Sequence, residues 1–205
     1  MLNAARPFPV LRWAAVLWMM VWLPAYVRVW GWANLMHLCD AALILTCLGL
    51  WWRSALLISS QAVSALLPGA LWVLNVGWRI VTGHFLVRGT EYMWSAEYPL
   101  WVRLLSLFHV VLPSVLLWAV WKLGYDRRGL ALQTVIAAVL LVSSRFFSAA
   151  LNMNYAYRDP VFNRAWGPPT VHLAVILLGA AVLLYLPTHL MLARLFSPAS
   201  PSHRR

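Results

Sequence analysis

Six stretches of this chain are apolar over about the length a bilayer demands, and that repetition restricts the fold more than any other feature. They cover about residues 13–30, 33–52, 55–79, 100–121, 130–150 and 170–195. A helix needs about 20 predominantly apolar residues to cross a hydrocarbon core of about 30 Å. In lipid every backbone polar group must be satisfied internally, so only helices and closed barrels span it. The chain is 63% hydrophobic and 10% charged, against roughly 45–50% and about 25% in soluble domains. No polar portion remains for a separate soluble domain. The sequence predicts an all-α polytopic membrane protein, with residues 1–205 as one integral membrane domain of six transmembrane helices.

The polar punctuation agrees with six runs. A short basic lead-in holds Arg6 and Arg12. The first run has no small-residue cleavage site and more spans follow, so it reads as a transmembrane helix bent at Pro24, not as a signal peptide. Pro68-Gly69 interrupts the third run, which membranes tolerate where neighbouring helices satisfy the freed backbone. Residues 83–98 carry both glutamates, Glu91 and Glu97, and read as an ordered loop. Residues 151–169 hold Pro160, Pro168 and Pro169, which exclude a continuous helix. The tail from 197 to 205 reads as disordered.

Net charge is +11, but Lys and Arg are spread over loops and helix ends. Nucleic-acid motifs are absent, so nucleic acid is not an expected partner. Six spans place both termini on one side. That side receives Arg6, Arg12, Arg53, Lys122, Arg127, Arg128, Arg194, Arg204 and Arg205, and the other receives Arg28, Arg88, Arg158 and Arg164. The asymmetry predicts cytoplasmic termini. Trp13, Trp51, Trp52, Trp118 and Trp121 fall at the inner ends, with Trp30, Trp32, Trp78, Trp94, Trp101 and Trp166 at the outer ones, as aromatic belts do.

Cys39 and Cys47 lie eight residues apart on the second run. That is ~12 Å of helical rise, too far for a disulfide. No CxxC, zinc spacing, Walker loop or GxSxG occurs, and neither a metal nor a cofactor is expected.

Polar residues nevertheless converge in depth. From helical rise, Cys39 lies ~9 Å and His109 ~14 Å below the outer ends of their helices. Asn75 and Arg79 fall within ~10 Å of that end, Arg145 within ~8 Å, and His172 at the rim beside Asn154 and Tyr155. Ionisable groups in lipid are expensive and face a cavity or one another, which predicts an outward-opening polar cavity. Asn34, His37 and Asp40 form one i, i+3, i+6 stripe, and Arg103, Ser106 and His109 another. By that spacing a Cys39–His109 contact between helices is easy, whereas one between Cys39 and Asp40 on a single helix is not. Asp40 is expected to pair with Arg79 or Arg145.

The sharp reading is nucleophilic catalysis, in which Cys39 gives its proton to His109 and forms a thioester with an acyl group from a membrane lipid. Asp40, Asn75, Arg79, Arg145, Asn154, Tyr155 and His172 are the candidate binding residues. Three rivals stand beside it. The Cys and His can be structural, or Asp40, Arg79 and Arg145 can form the charge-paired site of a small transporter, or His109 and His172 can hold a haem.

His37-Leu38-Cys39-Asp40, the later helix residue His109, Asn152 and Asn154-Tyr155, and Trp166-Gly167-Pro168-Pro169 together form a pattern. It resembles that of the YwaF-like bacterial integral membrane proteins and their animal relative, transmembrane protein 164. The resemblance covers roughly residues 33–195. It implies a six-helix fold in a bacterial inner membrane, with Cys39 as acyl-accepting nucleophile and His109 as its base, because the animal member is a phospholipid acyltransferase. The chain departs from the pattern where a tyrosine is expected soon after Pro169, with His172 nearby instead, and at Pro113.

Overall fold

The computed structural model describes residues 8–196; among these, helix is the only regular secondary structure, with no strand, and the helices are joined by tight turns and by long loops over 83–99 and 147–168. Helix α1 spans Pro9–Trp30, α2 Leu38–Trp52 and α3 Ala55–Thr82. Helices α4 (Leu100–Leu105) and α5 (Phe108–Leu123) follow, then α6 (Gly129–Ser143). Helices α7 (Pro169–Ala180) and α8 (Leu186–Leu195) are joined by a π-helical turn, Ala181–Tyr185, and run as one rod. Five units are long and apolar enough to cross a membrane: Pro9–Trp30, Ala55–Thr82, Leu100–Leu123, Gly129–Phe146 and Pro169–Leu195. The predicted disordered tail lies outside the described residues.

The bundle is apolar outside and partly polar inside. Leu17, Met20 and Val21 of α1, Val135, Val139 and Val142 of α6, and Val182 and Leu183 of the π turn are all exposed. Ser59, Ser60, Gln61 and Ser64 of α3 are buried, as are Gln133 and Thr188. That distribution suits lipid outside and hydrogen-bonded helix contacts within.

Helix α3 is the axis, packing on α2, α5, α6 and the α7–α8 rod. Two glycines permit the closest of these approaches. A Cβ at Gly129, at the start of α6, would stand 2.9 Å from the Ser59 carbonyl carbon and 2.9 Å from the Ser60 nitrogen. A Cβ at Gly69 would meet Pro113 Cγ at 2.8 Å and the His109 carbonyl oxygen at 3.1 Å. Pro68-Gly69 is thus a seat for α5, and α3 runs through it unbroken. Helix α1 likewise continues through Pro24.

Two segments differ from expectation. The second run starts its α-helix only at Leu38, because Trp32–Met36 is a 3-10 turn and His37 is extended (φ −62°, ψ 139°). The fourth run is broken between α4 and α5, where His109 N–H bonds to Ser106 O and Val110 N–H to Leu107 O. Proline at 113 offers no N–H to the His109 carbonyl and its ring crowds that turn, so the residues just before it tighten. Arg103, Ser106 and His109 therefore do not form one continuous helical stripe.

The long loops are ordered by side chains. Asn75 accepts from Leu86 N–H (2.8 Å) and Val87 N–H (3.2 Å), and donates to Val87 O (2.9 Å) and Thr90 Oγ1 (2.7 Å). In the second loop, Asp159 accepts from the N–H groups of Val161, Phe162 and Arg164. Burial alone would raise its pKa, but these donors and the Arg164 charge outweigh that and hold the carboxyl below the usual range. For a depressed acid, the stability contributed is present above the ordinary carboxylate pKa and is lost as pH falls through the lower folded value. Asp159→Asn is therefore expected to speed amide exchange at Val161, Phe162 and Arg164 at neutral pH. The unsubstituted loop should show the same loosening only in strong acid, and equal exchange in both proteins at neutral pH would refute it.

Candidate functional site

The N-terminal end of α2 is built from three segments. The first is the 3-10 turn before it, which carries Asn34. The second is α2 itself, which opens with Leu38, Cys39 and Asp40. The third is the loop after α6, where Asn154 takes a left-handed conformation (φ 51°) that asparagine tolerates better than most residues. Its Oδ1 accepts from Leu38 N–H at 2.8 Å, and its Nδ2 donates to Met36 O at 2.8 Å and Ser144 Oγ at 2.9 Å. One side chain thus pins the first N–H of α2, a donor with no partner inside the helix. Asn154→Ala should cost roughly 2–4 kcal/mol, since three polar groups lose partners, read as a lower thermal midpoint in micelles. An unchanged midpoint would show that the anchor is dispensable.

Asp40 is 2% exposed and has no cation beside it. Its Oδ2 accepts from Asn34 Nδ2 at 2.8 Å, and the Cys39 thiol donates to its Oδ1 at 3.7 Å. Adjacent residues point about 100° apart around a helix, which argued against this contact. In the open first turn, however, both Cβ atoms tilt toward the N-terminus, and the thiol and carboxyl meet over it.

The expected ion pairs of Asp40 are not formed. Arg79 lies over the Phe85 ring at 4.8 Å and the Trp94 ring at 5.9 Å. Arg145 donates to Ala156 O at 3.1 Å and lies over Tyr157 at 4.0 Å. An ion pair that is formed, Arg128–Asp126, lies at the opposite end of the bundle. Arg79 is held by aromatic faces and Arg145 by an aromatic face and a carbonyl, which meet a guanidinium at less desolvation cost than a buried pair.

No hydrogen bond joins Cys39 to His109 either. The imidazole is stacked on Trp72 (centroids 4.8 Å, 7°) and against Phe108 (4.1 Å, 25°). Its Nδ1–H donates to Ser106 O at 2.8 Å, since a carbonyl only accepts, which leaves Nε2 with the lone pair. The α4–α5 break turns the ring this way. Other candidates are consumed by structure. The four hydrogen bonds of Asn75 all go to the 86–90 loop. His172, 1% exposed, donates from Nε2 to Tyr155 O at 2.9 Å and accepts Trp166 N–H on Nδ1 at 3.2 Å. With both nitrogens engaged, it has no lone pair free for a haem iron. Tyr155 donates to Arg88 O at 3.0 Å.

Two side chains that the sequence reading passed over, Tyr26 and Tyr92, complete the cluster. Tyr26 of α1 shares a 2.6 Å hydrogen bond with Ser106 Oγ. Tyr92, in the 3-10 turn Glu91–Trp94, accepts from Trp72 Nε1 at 3.2 Å. Indole N–H only donates, and the Tyr92 hydroxyl also interacts with the Ser106 side chain. Both phenols lie within electrostatic range of Cys39 and Asp40. A signal existed for Tyr26, which sits four residues, ~6 Å, from the outer end of α1 and so at the depth of Cys39.

Hydrogen bonds join Cys39, Asp40 and Asn34 in one group and Tyr26 with Ser106 and Tyr92 with Trp72 in others, and His109 is stacked on Trp72. A thiol facing a carboxyl at a helix N-terminus, with phenolic hydroxyls in the same region, has the parts for acyl transfer. The expected outward cavity is not among the two clefts of ≈ 510 and ≈ 520 Å³, which are lined by residues elsewhere. Fold and site together define an all-helical protein with five apolar helices of membrane-crossing length and a polar cluster at one end. Comparison with protein-family models, curated proteins and solved structures finds no match for this chain.

Proposed function

We propose that the protein is a six-span protein of a bacterial inner membrane, with both termini cytoplasmic, that transfers or hydrolyses an acyl group of a membrane lipid through Cys39. The observation that carries this reading is the Cys39 thiol donating to the otherwise cation-free Asp40 carboxylate at the pinned start of α2. Helix α2 with the 3-10 turn before it covers ~30 Å, enough for a sixth crossing. The short motifs shared with the YwaF-like proteins support kinship with that family.

In the first step the sulfur attacks the ester carbonyl and its proton passes to Asp40, so Asp40 replaces His109 as the base. The Tyr92 hydroxyl donates to the oxyanion. The C–O ester bond then breaks and the leaving alkoxide takes the proton from Asp40. Water or a second alcohol cleaves the thioester with the same base and restores the thiol. His109 forms a stacked wall of the site. The charge-paired transport reading is not favoured, because neither Arg79 nor Arg145 reaches Asp40.

Cys39→Ala should abolish labelling by an acyl-type thiol probe and change the lipids extracted from expressing cells, while Cys47→Ser alters neither. Unchanged labelling and unchanged lipids in Cys39→Ala would sink the proposal.

A further inference from the structure

Helices α1 and α2 pack side by side, and an apolar groove of ≈ 520 Å³ runs along their seam. Met19, Leu23 and Pro24 line it from α1, and Ile44, Cys47 and Leu48 from α2. The α2 residues stand four, seven and eight positions after Asp40, which places all of them on one helical stripe. Trp51, eleven positions after Asp40, continues it. The Cys39 thiol leans to Asp40 at 3.7 Å, so its sulfur stands at the head of that stripe. On α1 the same head is marked by Tyr26, within electrostatic range of Cys39 and Asp40 and less than one turn from Leu23 and Pro24.

The far end of the groove is closed and its flank is open. Trp13 and Trp51 meet edge to face across the seam at 5.3 Å, and the Arg12 guanidinium lies 5.4 Å from the Trp51 ring. A hydrocarbon chain pushed past them would reach the level of the headgroups, which tryptophan favours. Met20 and Leu48, both in the lining, are exposed on the bundle surface, so a chain enters sideways from the bilayer. Met19 and Met20 are unbranched and adapt to an irregular apolar occupant. None of the lining residues carries a charge, which suits a hydrocarbon chain and not a headgroup. From Asp40 to Trp51 the rise is ~16 Å. Carbon–carbon bonds of about 1.5 Å advance an extended chain by about 1.3 Å per atom, so that length holds about 12–14 carbons.

We propose that this groove receives the acyl chain of the lipid whose ester is opened at Cys39, and that its closed end limits the chain to about 12–14 carbons. The inference rests on the reading of Cys39 as the acyl-accepting group and gives that reading a substrate class defined by chain length. The carbonyl on sulfur stays at the head of the stripe, beside Asp40, and the methylenes run down the Ile44, Cys47 and Leu48 face. Lipid tails are as apolar as the groove, so selection comes from packing against Trp51 and not from hydrophobic transfer.

The full-length protein in micelles, given phosphatidylcholines with chains of about 8, 14 or 20 carbons, tests this through the acyl mass gained by Cys39. The chain of about 14 carbons is expected to load at least about tenfold faster than that of about 20, because overpacking a closed end is costly. Trp51→Ala should bring the two rates together. Cys47→Phe blocks the groove ~10 Å from Asp40 and should move the preference to about 8 carbons. Equal loading of the two longer chains, or a preference that neither variant moves, overturns the groove and leaves acylation of Cys39 standing. A second measurement needs no acylation. In Cys39→Ser, a phosphatidylcholine with a diazirine near the middle of its chain is expected to crosslink residues 19–24 and 44–48 well above the exposed α6 residues Val135 and Val139. Such crosslinking without any loading of Cys39 in the unsubstituted protein would refute the catalytic reading and keep the groove as a chain site. Crosslinks spread evenly over the exposed helices would overturn the groove, whether or not Cys39 is acylated.

Discussion

Asp40→Asn is expected to slow acylation of Cys39 by at least about 100-fold, the lower end of what a positioned general base contributes. The substitution is isosteric, and the amide oxygen can still accept from Asn34 Nδ2, so the start of α2 should stay in place. What disappears is the oxygen that takes the thiol proton. The readout is the rate of thioester formation on Cys39, measured beside the thermal midpoint. A lost rate with a retained midpoint separates base catalysis from scaffolding. A rate within a few-fold of the unsubstituted protein would remove Asp40 from the mechanism and return His109 Nε2 as the proton acceptor. His109→Gln is expected to change the rate far less than Asp40→Asn, because the ring makes no hydrogen bond to the sulfur.

Gly129→Ala is expected to cost about 1–3 kcal/mol of stability, the range for overpacking a tight interface. The added methyl would stand 2.9 Å from backbone atoms of Ser59 and Ser60, and α3 cannot yield there without shifting against α2 and α5. Close backbone approach through small residues is a main source of helix association in lipid, where no hydrophobic drive separates helix from solvent. A lower midpoint in micelles, with the polar face of α3 losing protection from exchange, is the expected pattern. An unchanged midpoint would mean that α6 does not pack on α3 as described.

The architecture was legible because lipid leaves few options. Five of the six apolar runs correspond to helices of membrane-crossing length, and the second, whose α-helix starts only at Leu38, is shorter. Depth along each helix was legible too, since rise per residue is constant, and it brought Cys39, His109 and Asn154 to one end. What rise does not carry is rotation and local unwinding. The 3-10 turn at Trp32–Met36 and the break before Phe108 each rotate the side chains beyond them. A stripe drawn on ideal helices therefore paired Cys39 with His109, whereas the chain pairs it with Asp40. Asn154 was read as ligand-binding because it is polar and close. Its left-handed backbone and three hydrogen bonds, invisible in composition, make it the clamp on α2. The arginines were read as counter-ions because a buried acid needs neutralising, yet Asn34 and the Cys39 thiol occupy both oxygens of Asp40. Aromatic rings drew Arg79 and Arg145 away.

The most direct test of the central claim is the mass of the peptide bearing Cys39 after the purified protein is incubated with vesicles of a defined phospholipid and quenched in acid. The account predicts an added fatty-acyl mass on Cys39, labile to hydroxylamine, absent from Cys47 and absent in Cys39→Ser under the same treatment. An unmodified Cys39 in a folded protein, across glycerophospholipids and neutral acylglycerols, would contradict it.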